Sequence, residues 1–361
     1  MLGRIDRKAE LVAPSECIGH GACRAACPTD AISLVFGSAT RGVDIPLLSP
    51  DFETSVPGVY IAGELGGMGL IKNAITQGRQ AMDAMAAAVP RGHAHDFDVI
   101  IVGAGPAGLA AALEAKAKQL RFKVLEQDSI GGTLAHYPRG KMVMTQPADL
   151  PLVGQFQFRE ASKEHLIDFW NEVIARAGLE IDTGTRVEAV TPRGGGLAVR
   201  TQRGEFTAAK VLLALGRRGT PRKLEIPGEE MPHVVYRLID PEQYIGCKVV
   251  VVGGGDSALE AALAVARQPG TSVALCYRGK AFSRARAANR ERLDKAAAEG
   301  RIDVRLGSQI RQISASMVEL QTPEGDAALA ADAIIVCAGG LLPTPFLHQS
   351  GIEVEAKYGT A

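Results

Sequence analysis

Long hydrophobic runs are missing from this sequence. Its apolar stretches, such as Lys248 to Val252 and Ala333 to Cys337, are strand-sized, whereas a bilayer-spanning helix needs about 20 apolar residues. The first residues, with Arg4, Asp6, Arg7 and Lys8, lack the apolar centre of a signal peptide. Neither sign of charge is in excess. Lys plus Arg and Asp plus Glu each number 40, so nothing global favours nucleic acid or an anionic membrane as partner. Aromatic residues make up only 5%, so the cores are expected to be built from Ala, Val, Leu and Ile. Cysteines are few. Cys17, Cys23 and Cys27 cluster, while Cys247, Cys276 and Cys337 stand apart in or near strand-like segments, and Cys247 and Cys276 read as small buried hydrophobes. This is no disulfide framework; it suits a reducing, cytoplasmic setting and a metal or cluster site.

Glycine is plentiful, at 41 of 361 residues, and it is gathered in short motifs. Asp98 to Val102 reads as a buried strand and runs into Gly103-Ala104-Gly105-Pro106-Ala107-Gly108. An Ala/Leu-rich helical stretch (Leu109 to Lys118) and a second strand, Phe122 to Leu125, follow and end in Glu126. In such a unit the first glycine makes the tight turn, the second lets backbone approach a pyrophosphate, and the third lets helix and strand pack closely. The helix N-terminus offers N–H groups to the phosphate, and Glu126 is placed to accept ribose hydroxyls.

A second unit repeats the pattern. Lys248 to Val252 precedes Gly253-Gly254-Gly255-Asp256-Ser257-Ala258 and a helical Leu259 to Ala264. Ala258 is small enough for the third glycine position. After the next strand, Ser272 to Cys276, no acid stands where a ribose carboxylate belongs. Arg278, Lys280, Arg284, Arg286 and Arg290 stand there instead. Guanidinium groups bind a 2′-phosphate that an acid would repel, so NADPH is expected rather than NADH, with Arg278 and Arg284 as the main candidates.

Residues 56–80 read VPGVYIAGELGGMGLIKNAITQGRQ. They resemble the C-terminal flavin motif of the thioredoxin-reductase-like FAD/NAD(P)-binding pyridine nucleotide-disulfide oxidoreductases. In that family a T-x-x-x-G-x-x-A-x-G-D run ends the FAD domain, and its acid holds the flavin ribityl chain. Gly63-Glu64 takes that place here, one methylene longer. Ala214 to Arg217 and Cys337-Ala338-Gly339-Gly340 resemble the family's two interdomain crossovers, and Gly131-Gly132-Thr133 resembles its loop beside the flavin ring. Tyr137 to Pro147 is similar to the bacillithiol-disulfide-reductase-like branch.

The flavin motif normally follows the NADPH domain, whereas here it precedes Gly103. A circular permutation accounts for the order, since domain termini often lie close together. The expected fold is α/β, with two doubly wound Rossmann-like domains of three-layer ββα character and a small ferredoxin-like N-terminal segment. The expected boundaries are 1–38 for the iron–sulfur segment, 39–90 for the permuted end of the FAD domain, 91–222 for its main part, 223–335 for the NADPH domain and 336–361 for the return. The resemblance implies FAD, NADPH and a homodimer. It also implies a redox thiol that is missing. Only Cys247 stands before the second glycine motif, where thioredoxin reductases carry C-x-x-C, and Ala107 replaces the loop cysteine of the bacillithiol branch.

Cys17, His20, Cys23 and Cys27-Pro28 resemble the bacterial ferredoxin run C-x2-C-x2-C-x3-C-P, with His20 in the second position. An iron–sulfur cluster is expected, [4Fe–4S] in preference to [3Fe–4S]. A zinc site of three Cys and one His and a decayed remnant are the alternatives. The expected function is an NADPH-dependent FAD oxidoreductase that moves electrons between NADPH, FAD and an iron–sulfur centre or ferredoxin-like carrier. Its rivals are a flavin-dependent disulfide or small-molecule reductase and a non-catalytic nucleotide-binding redox sensor. No acid/base pair stands out; His136 and His165 lie near the Gly131 loop but read equally well as surface residues.

Overall fold

The computed structural model describes residues 2–5, 8–11, 17, 18, 21–29, 31, 32, 43–67, 69–217 and 220–357. The chain forms two compact units. One comprises Met1–Ala135, Met142–Arg217 and Leu342–Ala361; the other comprises His136–Lys141 and Arg218–Leu341.

The first unit is built on a seven-stranded sheet. The β-branched run Phe97–Val102 is central and buried from Val99 onward. It pairs in parallel with Phe122–Leu125 on one side and Gly204–Leu213 on the other, and Ile181–Asp182 extends the first side. Gly204–Leu213 is long enough to be shared. Its first half takes the antiparallel hairpin Val187–Arg193 and Gly196–Thr201, while Val211 to Leu213 pair in parallel with Val59–Ile61. The segment around the early flavin motif is therefore part of this sheet. Beside it, Val43–Pro46 pairs antiparallel with Val354–Lys357, and the Leu47 N–H donates to the Glu353 carbonyl at 3.0 Å.

Two helices matter for the site. Pro106–Ala117 starts with a proline, whose fixed φ and missing N–H suit a first helical position. Ile71–Ala88 turns Ile75, Ala81, Met82 and Met85 inward, together with the polar Asn73 and Gln77. The two helices meet so closely at Gly78 that a Cβ there would lie 2.1 Å from the Ala107 carbonyl oxygen.

The second unit has a five-stranded parallel sheet ordered Val234–Val235, Ala333–Val336, Lys248–Val252, Ser272–Tyr277 and Ile302–Leu306. Side chains alternate across a strand, and both faces are covered. Val249 and Val251 join Leu259, Leu263 and Leu293 of the helices Asp256–Val265 and Ala287–Ala298. Val250, Cys276 and Ile334 join Ile310, Val318 and Leu320 of a three-stranded antiparallel sheet. Helix, parallel sheet and antiparallel sheet make the ββα layering.

The expected unit boundaries shift by a few residues. Thr220–Pro221 pairs with Gly340–Leu341, and the Arg222 N–H donates to the Gly339 carbonyl at 2.9 Å. Both connecting stretches therefore belong to the second unit, which begins its main run at Arg218 and ends at Leu341. The excursion His136–Lys141 also belongs to it. Arg139 pairs with Asp240 at 3.1 Å and Lys141 with Glu260 at 3.0 Å. No local pattern announces these pairings.

The N-terminal stretch shows an antiparallel pair, Leu2–Ile5 with Lys8–Leu11, and a four-residue helix, Ala22–Ala25. A ferredoxin-like arrangement is not seen among the described residues. No described helix is long and apolar enough to cross a membrane.

Candidate functional site

The Gly103 loop has the steric signature of a dinucleotide cradle. Gly103 adopts φ +110°, and a Cβ there would meet the Ala214 carbonyl oxygen at 2.4 Å. A Cβ on Gly108 would lie 1.9 Å from the Gly103 carbonyl oxygen. Both glycines are demanded by the protein itself. Gly105 is different: a Cβ there would meet only the Gly132 Cα, at an ordinary 3.8 Å. Gly105 precedes the Pro106–Ala117 helix, which has no side-chain cap, and the first intrahelical donor is the Leu109 N–H, to the Gly105 carbonyl. An uncapped helix start beside an open glycine fits an anion.

Three further predicted groups gather there. The Gly131 N–H donates to the Ala104 carbonyl at 2.9 Å. Gly132 stacks on Gly105, and Thr133 Oγ1 lies near Gly216. Gly63, at φ +90°, is close enough to the loop that its Cβ would lie 3.0 Å from the Ala107 Cβ. Glu64 opens the short turn Glu64–Gly66 and is half-buried. Glu126 is buried, and its carboxylate is already engaged: Oε2 accepts the Ala104 N–H and Oε1 the Asp128 N–H, each at 2.8 Å. It fastens the loop, and each oxygen keeps a lone pair for a ribose hydroxyl.

Sequence reasoning missed the neighbours that complete this region. Arg217 is half-buried and donates from its guanidinium to the Asp44 carbonyl at 2.8 Å. Burial lowers its pKa, and the charges of Glu64 and Asp44 work against that shift. Gln77 accepts the Gly63 N–H at 2.8 Å.

The second loop repeats the contrast. A Cβ on Gly253, at φ +144°, would meet the Cys337 carbonyl oxygen at 2.4 Å, whereas one on Gly255 would meet nothing within 4 Å. Gly254 is glycine for another reason, because the Tyr277 ring would lie 2.3 Å from a Cβ there. That ring stacks on Phe282 at 5.5 Å. Ala258 is buried, as its small-residue role requires. Asp256 turns its Oδ1 to the Arg286 N–H at 2.9 Å and to Asn289 Nδ2 at 2.8 Å, capping the neighbouring helix. Ser257, Arg278, Arg284 and Gly339 are exposed.

The described members of the cysteine run are not assembled into a site. His20 lies outside the described residues. Among the described residues no group of three or more His, Cys, Asp or Glu side chains comes together to hold a metal. Cys17, Cys23 and Cys27 are each half-buried. The Cys27 thiol is held below its ordinary pKa by the Thr29 hydroxyl and by the Thr29 and Ala31 N–H groups. Elsewhere Cys276 is buried, and its thiol is pushed up to about 11. Cys247, expected to be buried, is only half so. His165 is exposed on the Lys163–Ala177 helix and His136 is half-buried.

Comparison with known proteins matches residues 100–360 to the pyridine nucleotide-disulphide oxidoreductase family model. A ferredoxin–NADP reductase of Burkholderia vietnamiensis is 33% identical over 269 residues, covering 72% of this chain and 74% of that protein. One from Ignicoccus hospitalis is 34% identical over 186 residues, but the alignment spans only 51% of this chain and 57% of the relative. Among solved structures, the bacillithiol disulfide reductase Bdr of Staphylococcus aureus shares the fold, with a TM-score of 0.59 at 21% identity over 72% of this chain and 84% of that one. The two loops and the family match agree: the chain belongs to the pyridine nucleotide-disulphide oxidoreductase family and is an NAD(P)H-dependent flavin oxidoreductase.

Proposed function

We propose that the first unit binds FAD, the second binds NADPH, and the enzyme exchanges electrons between NADPH and a one-electron carrier of the ferredoxin type. The carrying observation is that both cradles have a middle glycine, Gly105 or Gly255, with no steric need of its own in the protein, while the neighbouring glycines are sterically required. Bound FAD would supply the conversion between hydride transfer and single-electron transfer. The chain supplies placement. Gly105 and the uncapped start of the Pro106–Ala117 helix would hold the pyrophosphate, Glu126 the ribose, and Glu64 the ribityl chain. Gly132 and Thr133 would border the ring. Gly255 would admit the NADPH pyrophosphate, with Arg278 and Arg284 on its 2′-phosphate and Gly339 on the connecting stretch.

Circular permutation is our reading of the chain order. It is supported by the place of Val59–Ile61 in the FAD-type sheet and by the pairing of Val43–Pro46 with Val354–Lys357. No electron step is routed through Cys17, His20, Cys23 and Cys27, because the described cysteines do not form a ligand set. A second reading, direct disulfide reduction, draws on likeness to Bacillus subtilis bacilliredoxin reductase Bdr, 24% identical over 267 residues. The lone Cys247 before the second loop speaks against it.

The test is reconstitution with FAD followed by anaerobic titration with NADPH and NADH, then addition of ferredoxin or a disulfide. Flavin bleaching by NADPH and turnover with ferredoxin are expected. A protein that binds no flavin, or that reduces only the disulfide, overturns the proposal.

A further inference from the structure

Two polar side chains are buried on the helix that carries the flavin motif, and their partners lie far away in sequence. Asn73 is 1% exposed and Gln77 is 2% exposed. They stand one helical turn apart, so they share a face. Asn73 Nδ2 donates to the Cys17 carbonyl at 3.3 Å, and Gln77 Nε2 donates to the Ile18 carbonyl at 2.6 Å. Gln77 Oε1 accepts the Gly63 N–H at 2.8 Å. The amide orientation is dictated by its partners: a carbonyl needs the NH2 end and an N–H needs the oxygen end. Ile18 itself is buried. One amide therefore bridges the start of the cysteine run and the glycine that abuts Ala107 of the dinucleotide loop.

We infer that Gln77 is a positioning residue that couples docking of the Cys17–Ile18 segment to the flavin site. The inference rests on the FAD reading above. Buried amides must keep their partners, so withdrawal of Cys17–Ile18 would strand Gln77 Nε2 and release the hold on Gly63. A flavin that needs Gly63–Glu64 in place would favour the docked segment. By linkage the docked segment would favour flavin to the same degree. The Cys17–Ile18 segment is thus a built-in part of the flavin unit.

Amide hydrogen exchange in the full-length protein tests this, because exchange reports local opening. In wild type, FAD should slow exchange in the peptide containing Cys17 and Ile18 by roughly tenfold, the factor for one buried hydrogen bond. Gln77→Glu keeps an acceptor for Gly63 but sets a carboxylate oxygen against the Ile18 carbonyl. By the same linkage it should bind FAD more weakly, and at saturating FAD the Cys17–Ile18 peptide should no longer respond. Asn73→Ala removes the Cys17 anchor and leaves Gln77 in place, so the measurement stands even if the Gln77 variant does not fold; its FAD response should shrink. A wild type that binds FAD with no change in that peptide overturns the inference alone, as does either variant responding like wild type. A wild type that binds no FAD overturns the flavin reading with it.

Discussion

Glu126 holds the Ala104 N–H at 2.8 Å with one carboxylate oxygen and the Asp128 N–H with the other. The acid that ends the second strand thus fixes the Gly-rich loop before any ribose arrives. Hydrogen bonds to a charged group contribute about 1.5–3 kcal/mol each. Glu126→Ala should therefore lower stability by roughly 3 kcal/mol and abolish flavin retention. Glu126→Gln keeps one acceptor but turns an NH2 toward the other N–H, so it should fall between. Urea unfolding and fluorescence titration with FAD check this. Wild-type FAD affinity in Glu126→Ala would refute the assignment.

The glycines divide into two experimental classes. Gly255→Ala adds a Cβ that touches nothing within 4 Å, and Gly105→Ala adds one at 3.8 Å from Gly132. Both should fold with near-normal stability. Gly105→Ala should weaken FAD binding, and Gly255→Ala should raise the KM for NADPH with kcat little changed, each by roughly tenfold or more, because only the ligand meets the new methyl. Gly108→Ala, with 1.9 Å to a carbonyl oxygen, should instead fail to fold the first unit. Thermal melts alongside KM values separate the classes. An unchanged KM in Gly255→Ala counts against the NADPH cradle.

What the sequence made legible was local. The strands Phe122–Leu125 and Lys248–Val252 fall where the apolar runs put them. Both loops could be read because their glycines, flanking strand and helix lie within a few residues of one another. The helices start earlier than expected, at Pro106 and Asp256, since proline suits a first turn and Asp256 is held by Asn289. Everything joined across long separations was hidden. Tyr277 over Gly254, Arg217 on the Asp44 carbonyl, and Gln77 between Ile18 and Gly63 leave no periodic trace. The cysteine run shows the converse: a clear local spacing whose described members do not converge.

The cofactor preference should depend on charges the second unit leaves exposed. Arg278 and Arg284 are both exposed. A charge-assisted bond to a 2′-phosphate is worth about 1.5–3 kcal/mol, or roughly 10- to 150-fold in binding. Arg284→Ala and Arg278→Ala should each raise the KM for NADPH within that range and leave NADH use unaffected. Steady-state kinetics with the two nucleotides decide it. A parallel loss for both would mean that these arginines serve the fold or the shared pyrophosphate.

Asp98 anchors the entry to the first glycine unit and should shape acid stability. Its carboxylate accepts the Arg121 N–H at 2.8 Å, the Arg121 guanidinium at 2.8 and 3.1 Å, and pairs with His93 Nε2 at 2.9 Å. Burial alone would raise its pKa, but these hydrogen bonds and the Arg121 charge outweigh it and hold the group below its ordinary 3.8. A carboxylate depressed on folding contributes stability that is complete above the unfolded value and fades as pH falls through the folded one. The window therefore lies below about pH 4. Asp98→Asn should cost stability at neutral pH, modestly because Arg121 is more than half exposed, and should flatten the acid decline. Asp96, also depressed by the Thr207 N–H and hydroxyl and by the Arg121 charge, adds to the acid decline of both proteins. Urea midpoints measured from neutral pH down to about pH 3 provide the readout, and equal acid slopes in wild type and Asp98→Asn would show that the clasp makes no net contribution.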